Sequence, residues 1–168
     1  MTKLTILTYP DPRLREVAKP VTQFDKALEN LIQDMLETMY HDNGCGLAAT
    51  QVGINQRIFV ADLSLNESQP RHFINPEIIE RSGEHLQDEG CLSFPGIFAK
   101  VKRPNLVRLK YQDKNGIFHE ENFSDLGAVC CEHEIEHLDG IVFIDHLSLL
   151  KRNYLIKKLK KNTPQPIK

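Results

Sequence analysis

Two histidines and a glutamate stand at a spacing that can hold a metal ion and activate water. His133, Glu134 and His137 form the pattern His-Glu-x-x-His. A separation of four residues places the two imidazoles one helical turn apart, about 6 Å along the axis, where both can bind one metal ion. The Glu134 carboxylate can then reach a water on that metal without being a ligand. The pattern therefore predicts metal-assisted hydrolysis.

The motif lies in residues 124–140, which have the signals of a short capped helix. Ser124 or Asp125 can accept the free N–H groups of the first turn, and Gly140 can end the helix in the left-handed conformation. A pair of hydrogen-bonded core histidines would show a similar pattern, but an inward-facing pair followed by a glutamate favours a metal site. The residues that recur at three- and four-residue spacing on one face are Leu126, Val129, Cys130, His133 and His137.

A third ligand has to be found elsewhere, because a catalytic site usually has three protein ligands and one open position. The extended motif with a third histidine fails here, since Phe143 occupies that position. Asp145, His146 and the four cysteines remain as candidates. Cys45 and Cys91 each lie beside glycines in a segment without a regular period, and either can also be a small buried residue. Periodicity alone does not choose between them.

The composition predicts one globular domain over residues 1–168. Of these residues 26% are charged and 40% are hydrophobic, which is ordinary for such a domain. The N-terminal residues lack the apolar core of a secretion signal, and no apolar run is long enough to cross a bilayer. We therefore expect four reduced cysteines in a cytoplasmic setting.

Basic residues are concentrated towards the C-terminus. Residues 149–168 contain seven lysines and arginines and no acidic residue. We expect residues 148–168 to form a basic C-terminal helix, to about residue 161, followed by a frayed tail. Such a helix is either a solvated face or a contact for polyanionic RNA.

The remaining patterns predict an α+β fold. Residues 22–42 have an apolar stripe at helical spacing and predict an amphipathic N-terminal helix. We expect mainly antiparallel sheets packed around a central helix that bears the HExxH motif. Runs of β-branched and aromatic residues predict strands at 57–63, 71–74, 77–81, 98–101, 106–112, 116–123 and 141–144.

Three segments together resemble the peptide deformylase family. They are GCGLAATQ at 44–51, EGCLS at 89–93 and HEIEH at 133–137, and they follow the order of that family's three motifs. The likeness covers nearly the whole chain, from YPDPRLR at 9–15 to about Leu150. Three motifs at matching separations are far more specific than HExxH alone.

The resemblance implies hydrolysis of the N-formyl group from formyl-methionine at the start of nascent bacterial proteins. The residues that match the family's metal ligands are Cys91, His133 and His137, and Glu134 matches its general acid/base. The family's metal is generally iron(II), and zinc, nickel or cobalt can occupy the site. The spacing of the ligands does not by itself select iron over zinc.

The same resemblance implies how substrate and partners are bound. Gln51 and the backbone N–H of Leu92 are expected to stabilise the oxyanion. The implied partners are formyl-methionyl nascent peptides and, through the basic C-terminal helix, the ribosome; no membrane or DNA partner is expected. The residues expected to contact the substrate are Gly44, Cys45, Gly46 and Gly90.

The sequence departs from the family pattern at three positions. Cys45 replaces an aliphatic residue, and we expect it to pack as a small apolar side chain, the alternative being a reactive thiol near the substrate. Glu132 replaces a glutamine and Glu136 an aspartate. We expect both to be surface carboxylates or to orient an imidazole N–H.

Two other functions use some of the same residues. An aminopeptidase or endopeptidase could use the HExxH helix, but the absent third histidine and the two other motifs argue against it. A non-catalytic metal- or RNA-binding module is the third hypothesis. The presence of Glu134 and Gln51 argues against that module, and a structural zinc site needs a fourth protein ligand.

Overall fold

Three α-helices and seven strands make up the structure, a computed structural model that describes residues 2–64 and 66–162. The helices are α1 (Lys26–His41), α2 (Leu126–Leu138) and α3 (Leu149–Asn162). The strands are β1 (Gly46–Ala48), β2 (Ile58–Ala61), β3 (Arg71–Ser82), β4 (His85–Cys91), β5 (Phe94–Arg103), β6 (Leu106–Gln112) and β7 (Phe118–Ser124). Short 3-10 helices cover Pro12–Arg15, Ala49–Val52 and Phe143–His146.

The strands form two antiparallel sheets in the part of the chain that the structure describes. A five-stranded sheet has the order β1-β2-β3-β6-β7, and β4 pairs with β5 in a two-stranded sheet. These sheets and the three helices confirm the predicted α+β class with mainly antiparallel sheet. Because β1 is an edge strand, one side of its backbone has no strand partner within this sheet.

A single long strand, β3, replaces the two strands predicted at 71–74 and 77–81. The chain continues through Asn75 with a register shift in its pairing to β6. Asn75 has a φ of +51°, and its side-chain amide binds the backbone of Val21 at 2.8 and 2.9 Å. These two hydrogen bonds hold a bulge inside the strand.

The strand predicted at 141–144 is wrong. Phe143–His146 forms a 3-10 helix instead, in which the Asp145 carboxylate accepts a hydrogen bond from the Val142 N–H at 3.1 Å. The sequence analysis does not predict strands β1 and β4, because glycines and charged residues interrupt any alternation of apolar and polar residues there.

Helix α1 begins at Lys26 rather than at residue 22. Asp25 caps it, because its carboxylate accepts a hydrogen bond from the Leu28 N–H at 3.0 Å. The buried stripe of α1 packs against β1 and β2 in a cluster that includes Leu28, Ile32, Met35, Leu36, Met39, Leu47, Ile58 and Val60.

Helix α2, which carries the HExxH motif, is buried on almost every side. Eleven of its thirteen residues are buried, whereas the sequence pattern indicates one inward face. Asp125 occupies the N-cap position, but its side chain accepts no capping hydrogen bond. One side of α2 packs on the five-stranded sheet in a cluster that includes Phe59, Phe73, Val107, Leu109, Ala128, Cys131, Ile135 and Leu138.

Helix α3 lies against β5 and exposes its lysines. Leu155, Ile156 and Leu159 pack in a cluster with Phe94 and Phe143. The predicted frayed tail at 163–168 lies outside the described residues. Among the helices that the structure describes, none has both the length and the apolarity needed to cross a bilayer. The exposed lysines of α3 are Lys151, Lys157, Lys158, Lys160 and Lys161.

Gly140 ends the segment that holds the motif helix in place. Its φ is +77°, a conformation that costs other residues about 1–2 kcal/mol. A β-carbon at Gly140 would also lie 2.5 Å from the backbone oxygen of Arg15. The Arg15 guanidinium in turn binds Asp145 at 2.5 and 3.0 Å. The end of α2 is therefore packed against the N-terminal segment too closely for any side chain.

We predict that Gly140→Ala lowers the free energy of unfolding by about 3 kcal/mol, because conformational strain and a backbone clash add together. Gly116→Ala is a matched control, since Gly116 also has positive φ (+79°) but its nearest neighbours would lie 3.5 Å away. The control should cost only about 1–2 kcal/mol. Urea denaturation followed by circular dichroism measures both values, and equal losses would show that the contact with Arg15 relaxes freely.

Candidate active site

Three potential metal donors converge between α2 and the end of β4. The ligand atoms of Cys91, His133 and His137 all lie within 4.8 Å of one another. His137 Nε2 lies 3.2 Å from His133 Nε2 and 3.3 Å from Cys91 Sγ. At these distances, one cation placed between the three donor atoms can accept a lone pair from each of them. The cluster therefore fits a single metal ion.

The structure brings Cys91, rather than the other candidates, to the two histidines. Asp145 is bound to Arg15, and His146 binds Glu136 at 2.8 Å. The sequence around Cys91 indicates an irregular loop. In the structure, Cys91 is instead the last residue of β4. A register shift between Gly90 and Cys91 in the pairing with β5 places this residue at the site.

A buried carboxylate orients the first histidine. His133 Nδ1 lies 2.7 Å from Glu89 Oε1, so an Nδ1–H donor leaves Nε2 free to bind a metal. Glu89 also accepts two hydrogen bonds from Arg103, at 2.5 and 2.9 Å. Burial raises the pKa of Glu89, but the hydrogen bonds from His133 and Arg103 outweigh it, so this pKa lies below its usual value. Glu89 consequently stays ionised.

Arg103 joins this carboxylate to helix α2. Its side chain is 2% exposed, and its guanidinium binds both Glu89 and Glu136, the latter at 2.6 Å. Glu132 pairs instead with Arg81. Thus neither Glu132 nor Glu136 is the partner of His133. Sequence reasoning missed Glu89 and Arg103, although Glu89 stands in the same EGCLS segment as Cys91.

Glu134 lies beside the donor cluster and lacks a full set of partners. Its side chain is buried, and its Oε1 atom has no hydrogen-bond partner among the residues that the structure describes. Burial raises the pKa of Glu134 to about 7. A β-carbon on Gly46 would lie 2.6 Å from Glu134 Oε2, so only glycine lets the backbone of β1 approach this carboxylate.

Gln51 directs its amide nitrogen towards the cluster. Its Oε1 atom accepts a hydrogen bond from the Ala48 N–H at 2.9 Å. Its Nε2 atom is therefore the donor, and it donates hydrogen bonds to Cys91 Sγ at 3.5 Å and to Ser93 Oγ at 3.2 Å. The 3-10 helix after β1 thus holds this side chain in one orientation.

The other residues predicted for the site, Leu92, Gly44, Gly90 and Cys45, lie next to the donor cluster in the sequence or pack on residues beside it. Leu92 follows Cys91, and its Cδ1 atom would lie 2.6 Å from a β-carbon on Gly44. Gly90 lies under the ring of Phe98, and a β-carbon on Gly90 would lie 2.6 Å from the Cε1 atom of that ring. Cys45 is exposed and precedes β1.

A thiol and two imidazoles around one point, with a buried carboxylate beside them, are the site of a metal-dependent hydrolase. The family model for polypeptide deformylase matches residues 3–153 of this chain. The chain belongs to the peptide deformylase family.

Relatives of known sequence and structure match nearly the whole chain. A peptide deformylase of Chromobacterium violaceum is 50% identical over 165 residues, which are 98% of this chain and 99% of the relative. The crystal structure of a peptide deformylase from Legionella pneumophila is 43% identical with a TM-score of 0.93, covering 96% of this chain and 95% of that one. The Ehrlichia chaffeensis peptide deformylase in complex with actinonin is 38% identical, also with a TM-score of 0.93, and covers 98% and 100% respectively.

We predict that Glu89→Gln weakens zinc binding by about 10- to 100-fold, because the neutral amide holds the His133 imidazole less firmly. A chelator competition assay measures the dissociation constant for zinc, and far-UV circular dichroism checks the fold. Glu132→Gln is the matched control, since Glu132 precedes His133 but binds Arg81. Its zinc affinity should not change. An equal loss in both variants would contradict a specific role for Glu89.

Proposed function

We infer that this chain is an enzyme that hydrolyses the N-formyl group of formyl-methionine on nascent proteins and releases formate. The observation that carries this inference is the buried Glu134 carboxylate, whose Oε1 has no partner among the described residues, beside the Cys91, His133 and His137 donors. Family membership supplies the substrate class, and the residues supply a way to perform the hydrolysis.

We propose that Cys91 Sγ and the Nε2 atoms of His133 and His137 hold one divalent metal ion. When bound, such an ion polarises a carbonyl and makes water more acidic. One thiolate and two imidazoles suit several transition metals. We propose iron(II) as the native ion, as in the family, with zinc, nickel or cobalt able to replace it.

In this proposal Glu134 moves the proton. Its carboxylate takes a proton from the attacking water as the water oxygen adds to the formyl carbon. Glu134 then gives that proton to the methionine nitrogen as the carbon–nitrogen bond breaks. The products are formate and a free amino terminus. A buried carboxylate is suited to both steps when one of its oxygens has no partner among the described residues and no salt bridge to them holds it ionised.

Gln51 and Leu92 are proposed to stabilise the negative oxygen that develops on the formyl group. The Ala48 N–H fixes Gln51 Oε1, so its Nε2 donor is already oriented before substrate binds. The backbone N–H of Leu92, next to Cys91, is the second donor. Loss of one such donor typically lowers kcat by about 10²- to 10³-fold.

The substrate peptide is proposed to bind as an added strand. β1 is an edge strand of its sheet, and its backbone polar groups can pair with an extended peptide. Gly44, Cys45 and Gly46 line this edge, and Gly90 lies next to Cys91. The close approach of Gly46 to Glu134 would bring the bound formyl group near the carboxylate.

Helix α3 is proposed to contact the ribosome, where the substrate emerges. Its apolar residues Leu155, Ile156 and Leu159 pack inward, while five lysines are exposed. Such a face can bind ribosomal RNA phosphates in a salt-dependent manner. This partner and substrate also suggest that the reaction takes place in the cytoplasm.

We predict that Glu134→Gln lowers formate release from a formyl-methionyl peptide by about 10²- to 10⁴-fold, because the proton acceptor is lost. The protein is purified anaerobically with iron(II) or loaded with nickel, and its metal content is measured. Glu132→Gln, a change of the same chemistry on the same helix, should retain the rate. An unformylated peptide is tested in parallel. Its cleavage by wild-type protein, or full deformylation by metal-loaded Glu134→Gln, would refute the proposal.

We predict that the triple change Lys157→Glu, Lys158→Glu and Lys161→Glu weakens ribosome binding by about tenfold or more at low salt and lowers its salt dependence. These lysines are exposed, so the change should leave the core and the rate on a short peptide intact. Co-sedimentation with ribosomes over a range of salt concentrations measures the effect.

The matched control is Lys3→Glu, Lys26→Glu and Lys114→Glu, which alters the net charge equally at exposed positions outside α3. If both triple variants lose the same affinity, the contact depends on net charge and not on α3.

A further inference from the structure

Two cysteines that are not assigned to the metal lie together at one side of the active site. Cys45 is exposed just before β1, and Cys130 is buried on α2. Their thiols are within hydrogen-bonding reach of each other. Cys130 Sγ also lies 3.0 Å from the position of a β-carbon on Gly46, and Glu134 Oε2 lies 2.6 Å from the same point. The two thiols therefore meet where β1 comes closest to α2.

We propose that Cys45 and Cys130 form a reversible modification site that reacts with small disulfides such as oxidised glutathione and closes to an internal disulfide. Nothing in the deformylase reaction uses either thiol. The site is a pair in which one thiol is accessible and the other is close enough to complete the reaction.

The chemistry is two successive thiol–disulfide exchanges. The Cys45 thiolate attacks one sulfur of the small disulfide, forms a mixed disulfide and releases one small thiol. The Cys130 thiol then loses its proton to solvent or to the departing thiolate and attacks the Cys45 sulfur. The second small thiol leaves. Two protein thiols are oxidised, and one small disulfide is reduced to two thiols.

The order of reaction follows from exposure. Cys45 meets a reagent first because it is exposed, whereas Cys130 is 8% exposed. The hydrogen bond from Cys130 also lowers the pKa of Cys45 to about 6, which favours the reactive thiolate. Cys131, the next residue on α2, is 2% exposed and packs on the sheet. It is therefore not a competing partner.

The internal disulfide would tie the residue before β1 to the helix that carries Glu134. The link would run past Gly46, and Cys130 lies one helical turn before Glu134 in α2. Oxidation is thereby confined to the side of the site that faces the edge of β1.

The test is mass spectrometry of zinc-loaded protein after treatment with oxidised glutathione. Wild-type protein should lose the mass of two hydrogens without keeping glutathione, and digestion should give a peptide pair linked through Cys45 and Cys130. Zinc content should not change, which separates this reaction from loss of the Cys91 ligand. Dithiothreitol should restore the original mass.

Variants resolve the two steps. Cys130→Ser should stop at a stable glutathione adduct on Cys45, and Cys45→Ser should resist modification under the same conditions. Cys131→Ser is the matched control and should close its disulfide as wild type does. A stable glutathione adduct on wild-type protein, a linkage through any other cysteine, or no reaction would each overturn the proposal. These readouts are independent of deformylase activity.

Discussion

Burial of charge on helix α2 is the constraint on which the rest of this structure depends. Glu132, His133, Glu134 and His137 are all buried, and a buried charge without a partner costs several kcal/mol. Partners for two of these residues come from distant strands: Arg81 near the end of β3 binds Glu132, and Glu89 of the β4–β5 hairpin, itself bound to Arg103, binds His133. The two-stranded sheet is thus attached to the motif helix largely through ionic contacts.

This attachment also sets the geometry of the potential metal donors. Cys91 ends the strand that contains Glu89, and Glu89 holds the imidazole of His133. The strand that supplies the proposed sulfur ligand therefore also orients one of the proposed nitrogen ligands. Arg103 sits between Glu89 and Glu136 and is 2% exposed, so its removal would leave two carboxylates near the proposed metal site without the counter-charge of its guanidinium. Loss of one partner of such a buried group typically costs about 3–5 kcal/mol.

Sequence reasoning found the residues whose signal is local and missed those whose signal is not. The four-residue spacing of His133 and His137 specifies a helix, and three motifs at matching separations pointed to Cys91 and Gln51. Glu89 and Arg103 are fourteen residues apart, and the β4–β5 register pairs them with Ala99 and His85 respectively, so their side chains meet only in the folded structure. No periodicity in the sequence predicts the contact between these two side chains. The strand expected at 141–144 failed for a different reason: an apolar run this short does not distinguish a strand from a 3-10 helix, and here the local contact from Asp145 to the Val142 N–H accompanies a 3-10 helix.

The contrast between Glu89 and Glu134 separates a carboxylate with fixed partners from the one proposed to move the proton. Glu89 receives hydrogen bonds from a guanidinium and an imidazole, and its pKa lies below the usual value. Glu134 lies beside the same metal donors, but its Oε1 has no partner among the described residues and burial raises its pKa to about 7. A group fixed in one protonation state can orient a ligand but cannot exchange a proton. The described part of the fold therefore gives Glu89 fixed partners and leaves Oε1 of Glu134 without one, and Glu134 is where proton transfer is possible.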